Sequence, residues 1–320
     1  MAERFDAWRG GVIPAVPVPF RDDASIDEES LDRYVQWMAA QRVPAVAVGV
    51  HTGRGLHLSE EQRELVLRAW QGGGHELVVG VGVPVSCIMP SSQSQLTERV
   101  IRETVEMAEW ACREGACAVL VYPPSAFHDL PETEERAIAL HEAVAQVGVP
   151  TIVFYLYEDA GGIDYSDAAL DRLLAVDGVI GIKLATLDRP TRFEEVSILV
   201  HQHDGRMCIT GEDRFYGTSI VMGADTALIG MAAACTDLMV ELFDGHGAED
   251  GERFAVLSSA IDRFADTTFG TPVDGYVQRM VWALEAEGVI ARAGRDPFGP
   301  VVDPTDRERV RAAVTALRAV

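Results

Sequence analysis

Eight short apolar runs, each followed by a longer stretch with helical spacing, fill the chain up to about residue 230. The runs are 11–16, 43–50, 77–83, 116–121, 150–155, 179–183, 207–210 and 224–229, rich in Val, Ile, Leu and Ala. They are nearly continuous in hydrophobicity. A half-exposed strand alternates, so this pattern belongs to strands covered on both faces, as in a parallel sheet wrapped by helices. Eight such β/α units in this length predict a closed (β/α)8 TIM barrel. No Gly-x-Gly-x-x-Gly follows the first run, which disfavours an open dinucleotide-binding sheet.

The intervening stretches carry helix signals. Ser25 or Asp27 is placed to cap a helix ending near Ala40, and Ser59-Glu-Glu-Gln62 is a capping box for the next. Helices are predicted over 97–114, 131–147, 167–176, 190–200 and 213–222. After residue 232 the strands stop, and 237–247, 252–264, 276–287 and 305–319 all read as helices. The expected division is a catalytic barrel over 1–232 and a C-terminal helical extension over 233–320. The segment 84–96, polar and serine-rich, reads as a long loop at a strand exit.

The net charge of −23, from 50 acidic against 27 basic residues, repels phosphate backbones and anionic lipid surfaces. Nucleic-acid and membrane partners are therefore not expected. Residues 1–10 contain no apolar signal core, and no stretch is long enough to span a bilayer. Cys87, Cys112, Cys117, Cys208 and Cys235 are odd in number and lack metal-ligand spacing. The expectation is a cytoplasmic protein with reduced thiols, and neither a metal nor a cofactor is called for.

All 27 basic residues are arginine except one, Lys183. Guanidinium stays protonated, whereas an ammonium can lose its proton and become a nucleophile. Lys183 ends the run Val179-Ile-Gly-Ile182, so burial at the strand end should depress its pKa and free the amine for attack on a carbonyl. A surface lysine spared by chance is the competing account.

Catalytic residues of this architecture gather at the C-terminal ends of strands. Tyr155 ends the fifth run and is a candidate proton carrier, with an aromatic packing role equally open and Tyr157 as a competitor. After the second run, Val50-His51-Thr52-Gly53-Arg54 could receive a carboxylate through Gly53 backbone and the Thr52 hydroxyl; an ordinary tight turn is the alternative. His51 could donate to that carboxylate or act as a base. Gly211 opens a similar loop after the seventh run, where Asp213 is expected to cap the following helix.

These residues resemble the dihydrodipicolinate synthase and N-acetylneuraminate lyase family, Schiff-base (β/α)8 enzymes acting on pyruvate or other 2-oxo acids. The resemblance runs from Gly11 to the C-terminus. Gly11-Val-Ile-Pro-Ala-Val-Pro-Val-Pro-Phe20 is similar to the family's opening strand and loop, and Gly181-Ile-Lys183 with Ala185-Thr186 to its lysine segment. Gly211-x-Asp213, Gly223-Ala224 and Arg295-Asp-Pro-Phe-Gly-Pro300 resemble later loops. The resemblance implies Lys183 as the imine-forming residue, Tyr155 as the catalytic tyrosine by an ungapped step of 28 residues, and a homo-oligomer, dimer or tetramer.

Departures accompany the likeness. The family's Gly-Thr-Thr-Gly-Glu reads Val50-His-Thr-Gly-Arg54, and its relay tyrosine has no match in Pro124-Ser-Ala-Phe127. The arginine that binds the second substrate's carboxylate falls on Ala160. The resemblance, with these departures, implies an aldolase or dehydratase acting on pyruvate or another 2-oxo acid. A true 4-hydroxy-tetrahydrodipicolinate synthase, or a barrel that has lost catalysis and only binds a carbonyl ligand, are the alternatives.

Overall fold

The computed structural model describes residues 5–87, 92–128, 130–158, 161–248 and 250–320. Ala160, and residues 88–91 of the loop after the third strand, lie outside them. Eight parallel strands alternate with helices: β1 (Val12–Pro14), α1 (Glu28–Ala39), β2 (Ala45–Val48), α2 (Glu60–Gln71), β3 (Glu76–Val81), α3 (Gln93–Arg113), β4 (Ala118–Val121), α4 (Thr133–Ala145), β5 (Thr151–Leu156), α5 (Asp167–Ala175), β6 (Val179–Ala185), α6 (Pro190–Val200), β7 (Met207–Thr210), α7 (Tyr216–Val221) and β8 (Thr226–Ile229). Neighbouring strands pair in chain order, with β1 returning to β8. Between β1 and β2 closure rests on the Ala15–Ala47 bridge. This is the expected (β/α)8 TIM barrel.

Every strand residue apart from Glu76 is buried, which is why the runs lacked alternation. Alternate residues face opposite ways. Ile13, Ala15, Ala47, Leu120, Ile152, Phe154 and Ile209 fill the barrel interior, while Val153, Tyr155, Ile182 and Leu184 pack outward under α5 and α6. The Ser59–Gln62 capping box forms as expected. α3 begins at Gln93, four residues before the predicted start at Thr97, so the connection after β3 is shorter than the polar sequence suggested.

The helices α8 (Thr236–Gly247), α9 (Gly251–Thr268), α10 (Tyr276–Ala286) and α11 (Asp306–Arg318) follow β8. Apolar residues of α8 to α11, including Leu242, Phe264, Leu284 and Val314, join the core that lies outside β1–β4 and β8. One part of this region reaches the barrel mouth. Arg54, 4 % exposed, donates from Nε and Nη2 to Asp296 Oδ2 at 3.0 and 2.7 Å, and from Nη1 to Asp274 Oδ1 at 2.8 Å. That residue ties the turn after β2 to two segments more than 200 positions away.

Candidate active site

A cavity of about 430 Å³ opens at the C-terminal ends of the strands, and Lys183 lies in its wall. The lysine is two residues short of the end of β6, which continues to Ala185. Its side chain is 6 % exposed, and Nζ sits 4.3 Å from the centroid of the Phe154 ring. The stem fits because residue 211 is glycine. A Cβ there would stand 2.6 Å from Lys183 Cε and 2.8 Å from the Leu184 carbonyl oxygen. Burial brings the lysine pKa down to about 8, against the opposing pull of the Asp213 and Glu212 carboxylates. Roughly a tenth of the amine is therefore unprotonated at pH 7, against well under a hundredth for an ordinary lysine.

Asp213 was expected to cap the helix after β7, and it does not. α7 begins at Tyr216 with no side-chain cap. Asp213 Oδ1 instead accepts the Met231 N–H at 2.7 Å, joining the loops after β7 and β8 beside the amine. Burial raises its pKa to about 6, though the Met231 bond and the Lys183 charge both oppose that. Glu212, fully buried, accepts the Thr186 and Leu187 N–H groups at 2.6 and 2.8 Å and the Thr186 hydroxyl at 2.8 Å. It fixes the turn that leaves β6 three residues beyond Lys183. Burial outweighs these bonds and lifts its pKa to about 7.

His51, Thr52 and Gly53 form a single 3-10 turn after β2. His51 and Thr52 line the cavity. The Gly53 N–H donates to Val50 C=O at 2.8 Å, and the Gly211 N–H to Leu184 C=O at 2.6 Å. Both amides expected to meet a substrate are thus spent on the chain itself. At Gly53 a Cβ would stand 2.9 Å from the Val16 carbonyl oxygen, so that glycine is a packing requirement.

The structure does not bring Tyr155 to Lys183. Its ring packs outward against Tyr165, and its hydroxyl donates to Asp164 and accepts from Arg192 Nε at 3.3 Å. The reason is one residue of register. Thr151 pairs with Val179, a step of 28, but Ile152 pairs with Gly181. This irregularity leaves Ile180 as the extra residue, so Phe154 lies across from Lys183 and Tyr155 across from Leu184. A one-residue shift turns a side chain to the opposite face of the sheet. Tyr157, beyond the end of β5, does line the cavity.

A phenol does enter the site, from a part of the chain with no local signal for it. Tyr276, in the first turn of α10, places its hydroxyl 2.9 Å from Thr52 Oγ1 and 2.9 Å from His51 Nδ1. Its ring stacks on Phe269, with centroids 4.6 Å apart. Burial raises its pKa above the ordinary phenol range. On the far side of His51, Nε2 lies 3.8 Å from Asp274 Oδ1. Burial, and then the Arg54 charge, hold the imidazole pKa below its usual value. Gly230 completes the floor: a Cβ there would stand 3.0 Å from both Thr52 Oγ1 and the Tyr276 ring, and 3.6 Å from Asp213.

A profile of the Dihydrodipicolinate synthetase family matches residues 9–317. The chain belongs to that family. Among curated relatives, the 4-hydroxy-tetrahydrodipicolinate synthase of Chlorobaculum parvum is 22 % identical over 309 residues, 96 % of this chain and 97 % of that one. The enzyme of the same name from Methylobacterium radiotolerans is 26 % identical over 313 residues, 96 % and 95 % of the two chains. The fold is shared with N-acetylneuraminate lyase from Mycoplasma synoviae (TM-score 0.77, 18 % identity, 98 % and 99 % of the chains). It is also shared with dihydrodipicolinate synthase from Oceanobacillus iheyensis (TM-score 0.81, 18 % identity, both chains covered in full). The family likeness read from Lys183 and its neighbours is therefore shown over nearly the whole chain, at low identity. Among the described residues no helix is long and apolar enough to cross a membrane.

Proposed function

We propose that the protein is a lyase, an aldolase or dehydratase, that acts on pyruvate or another 2-oxo acid through an imine on Lys183. The observation that carries this is the chain's one lysine, buried in the barrel-mouth cavity with its pKa brought down to about 8. The free amine adds to the 2-oxo carbon, and loss of water gives an imine that, once protonated, accepts the electron pair of a bond broken at the neighbouring carbon. The substrate carboxylate is received at the turn 51–53, where the Thr52 hydroxyl faces the cavity. Asp213, beside the amine, takes and returns the protons of carbinolamine formation and dehydration.

The rest of the cavity narrows the second fragment. Phe154, Leu156, Phe269, Val273 and Phe298 supply the apolar part of the lining, burial holds the His51 and His57 imidazoles toward their neutral forms, and Arg54 is the one arginine among the described lining residues. Its guanidinium is committed to Asp274 and Asp296. This arrangement favours an apolar fragment over a carboxylate-bearing one, and so disfavours the synthase reaction of the curated relatives.

Borohydride added with pyruvate or a related 2-oxo acid should leave one covalent adduct, on the peptide containing Ile182-Lys183-Leu184. Lys183→Arg should abolish it while keeping the fold, since guanidinium cannot form the imine. Absence of an adduct with every 2-oxo acid tried would sink this reading and leave a barrel that only binds its ligand.

A further inference from the structure

We propose that the Tyr276 phenol, delivered by the C-terminal helical region, is the proton carrier for the carbon adjacent to the imine, with His51 as the acceptor behind it. This rests on the imine at Lys183 proposed above. The chemistry needs a group that removes a proton from that carbon and returns one. Tyr155 faces away, hydrogen-bonded to Asp164 and Arg192. Among the described residues the cavity wall offers two phenols, Tyr157 and Tyr276. Of these, Tyr276 is bonded both to Thr52, where the substrate carboxylate is placed, and to an imidazole with a carboxylate behind it.

The order of the groups sets the direction of transfer. With its Nε2–H toward Asp274, neutral His51 presents Nδ1 as an acceptor, so the phenol donates to it. The phenol oxygen accepts from Thr52 until a carboxylate arrives and takes that hydroxyl proton as its own hydrogen bond. One phenol lone pair is then open to the substrate. The C3–H proton moves to Tyr276 Oη as the phenol proton moves to His51 Nδ1. The C–H electron pair becomes the C2–C3 double bond, and the C=N pair retreats to nitrogen. The iminium loses its positive charge and the imidazole gains one; burial and the Arg54 charge oppose that imidazolium, while Asp274 at 3.8 Å and the loss of positive charge at Lys183 favour it. Concerted transfer avoids a free phenolate, which burial disfavours here. Return of the proton, or attack of the enamine on a carbonyl, follows the same path reversed.

Arg54 gains a reason in this arrangement. Its bonds to Asp274 fix the turn Val273–Gly275, from which α10 starts and Tyr276 projects. The turn that departs from the family pattern and the helical region that supplies the phenol are therefore one device.

The test compares wild type, Tyr276→Phe and Tyr155→Phe in two assays with pyruvate and with 2-oxobutyrate. Borohydride trapping after long incubation reads the imine. Exchange of C3 hydrogen for solvent deuterium, followed by proton NMR, reads the carrier. Phenylalanine at 276 keeps the stacking on Phe269 and loses only the hydroxyl, and thermal melting checks that the fold survives. The expected result is an adduct on Lys183 in all three proteins, with exchange slowed ~10²–10⁴-fold in Tyr276→Phe alone. His51→Gln should slow exchange in the same direction without removing the adduct. Adducts in all proteins with wild-type exchange in Tyr276→Phe would overturn the carrier and spare the imine. No adduct in wild type would overturn both.

Discussion

Lys183 faces Phe154, not Tyr155: the amine nitrogen lies 4.3 Å from the Phe154 ring centroid, and the two residues pair across β5 and β6. The ring shields the amine from water, so the strand partner that cannot carry a proton helps to keep the lysine reactive. On the proposal above, acid–base work falls to groups from the loops after β2 and β7 and from α10: His51, Asp213 and Tyr276.

Tyr155→Phe follows as a discriminating variant. Its hydroxyl serves Asp164 and Arg192 outside the cavity, so losing it should cost stability on the order of 1 kcal/mol. Trapping and turnover should stay close to wild type. A kinetic loss of ~10²-fold or more, the scale of a removed proton carrier, would place Tyr155 in the reaction despite its outward orientation.

Much of this was legible in the chain. The barrel followed from eight unbroken apolar runs, because both faces of each strand are buried and no alternation can appear. Lys183 stood out because every other basic residue is arginine. The phase of β5 against β6 was not legible, since the irregularity at Ile180 changes no residue type and yet turns Tyr155 away. Nor was Tyr276, which meets His51 across 225 positions and begins an ordinary amphipathic helix. Asp213 looked like a helix cap because a cap needs only a short polar side chain, and nothing local announced Met231 as its partner.

The amine should show its environment in a pH profile. The free base is the nucleophile, so the rate of adduct formation should rise with pH, reach half its maximum near pH 8 and level off above, where an ordinary lysine would still be climbing. Asp213 favours the charged form and opposes the fall. Asp213→Asn should therefore move the half-point to lower pH, even as it slows the dehydration step. A midpoint above pH 10 in the wild type, or an upward move in the variant, would contradict the buried-amine account.

Arg54 should matter directly to stability, and to the chemical step through the turn that carries Tyr276. It and Asp296 are each 4 % exposed, and Arg54→Leu would leave the Asp296 carboxylate buried without its partner. Breaking a buried pair from one side costs roughly 3–5 kcal/mol. Chemical denaturation at neutral pH should show a loss of that size. Arg54→Lys should recover only part of it, because one ammonium cannot reproduce the fork that reaches Asp296 and Asp274 together. An Arg54→Leu protein as stable as wild type would mean that the turn 273–275 is held by other contacts.

The choice of second substrate is open to direct assay. Aspartate semialdehyde carries a carboxylate and an ammonium that must both be desolvated to enter, and an unpaired buried charge is expensive. Arg54 is the one arginine among the described cavity residues, and it is saturated by Asp274 and Asp296. The sequence position that resembles the synthase arginine is Ala160. The Phe154, Leu156, Phe269 and Phe298 wall offers dispersion and desolvation to an apolar aldehyde but nothing to a carboxylate. Condensation of pyruvate with aspartate semialdehyde should therefore be slow, with kcat/KM well below the ordinary enzyme range of about 10⁴ M⁻¹s⁻¹. Aromatic and branched aliphatic aldehydes, run as acceptors in the same assay, should be preferred. Efficient synthase turnover would show instead that a carboxylate partner reaches the cavity from elsewhere, and would return the protein to the activity of its curated relatives.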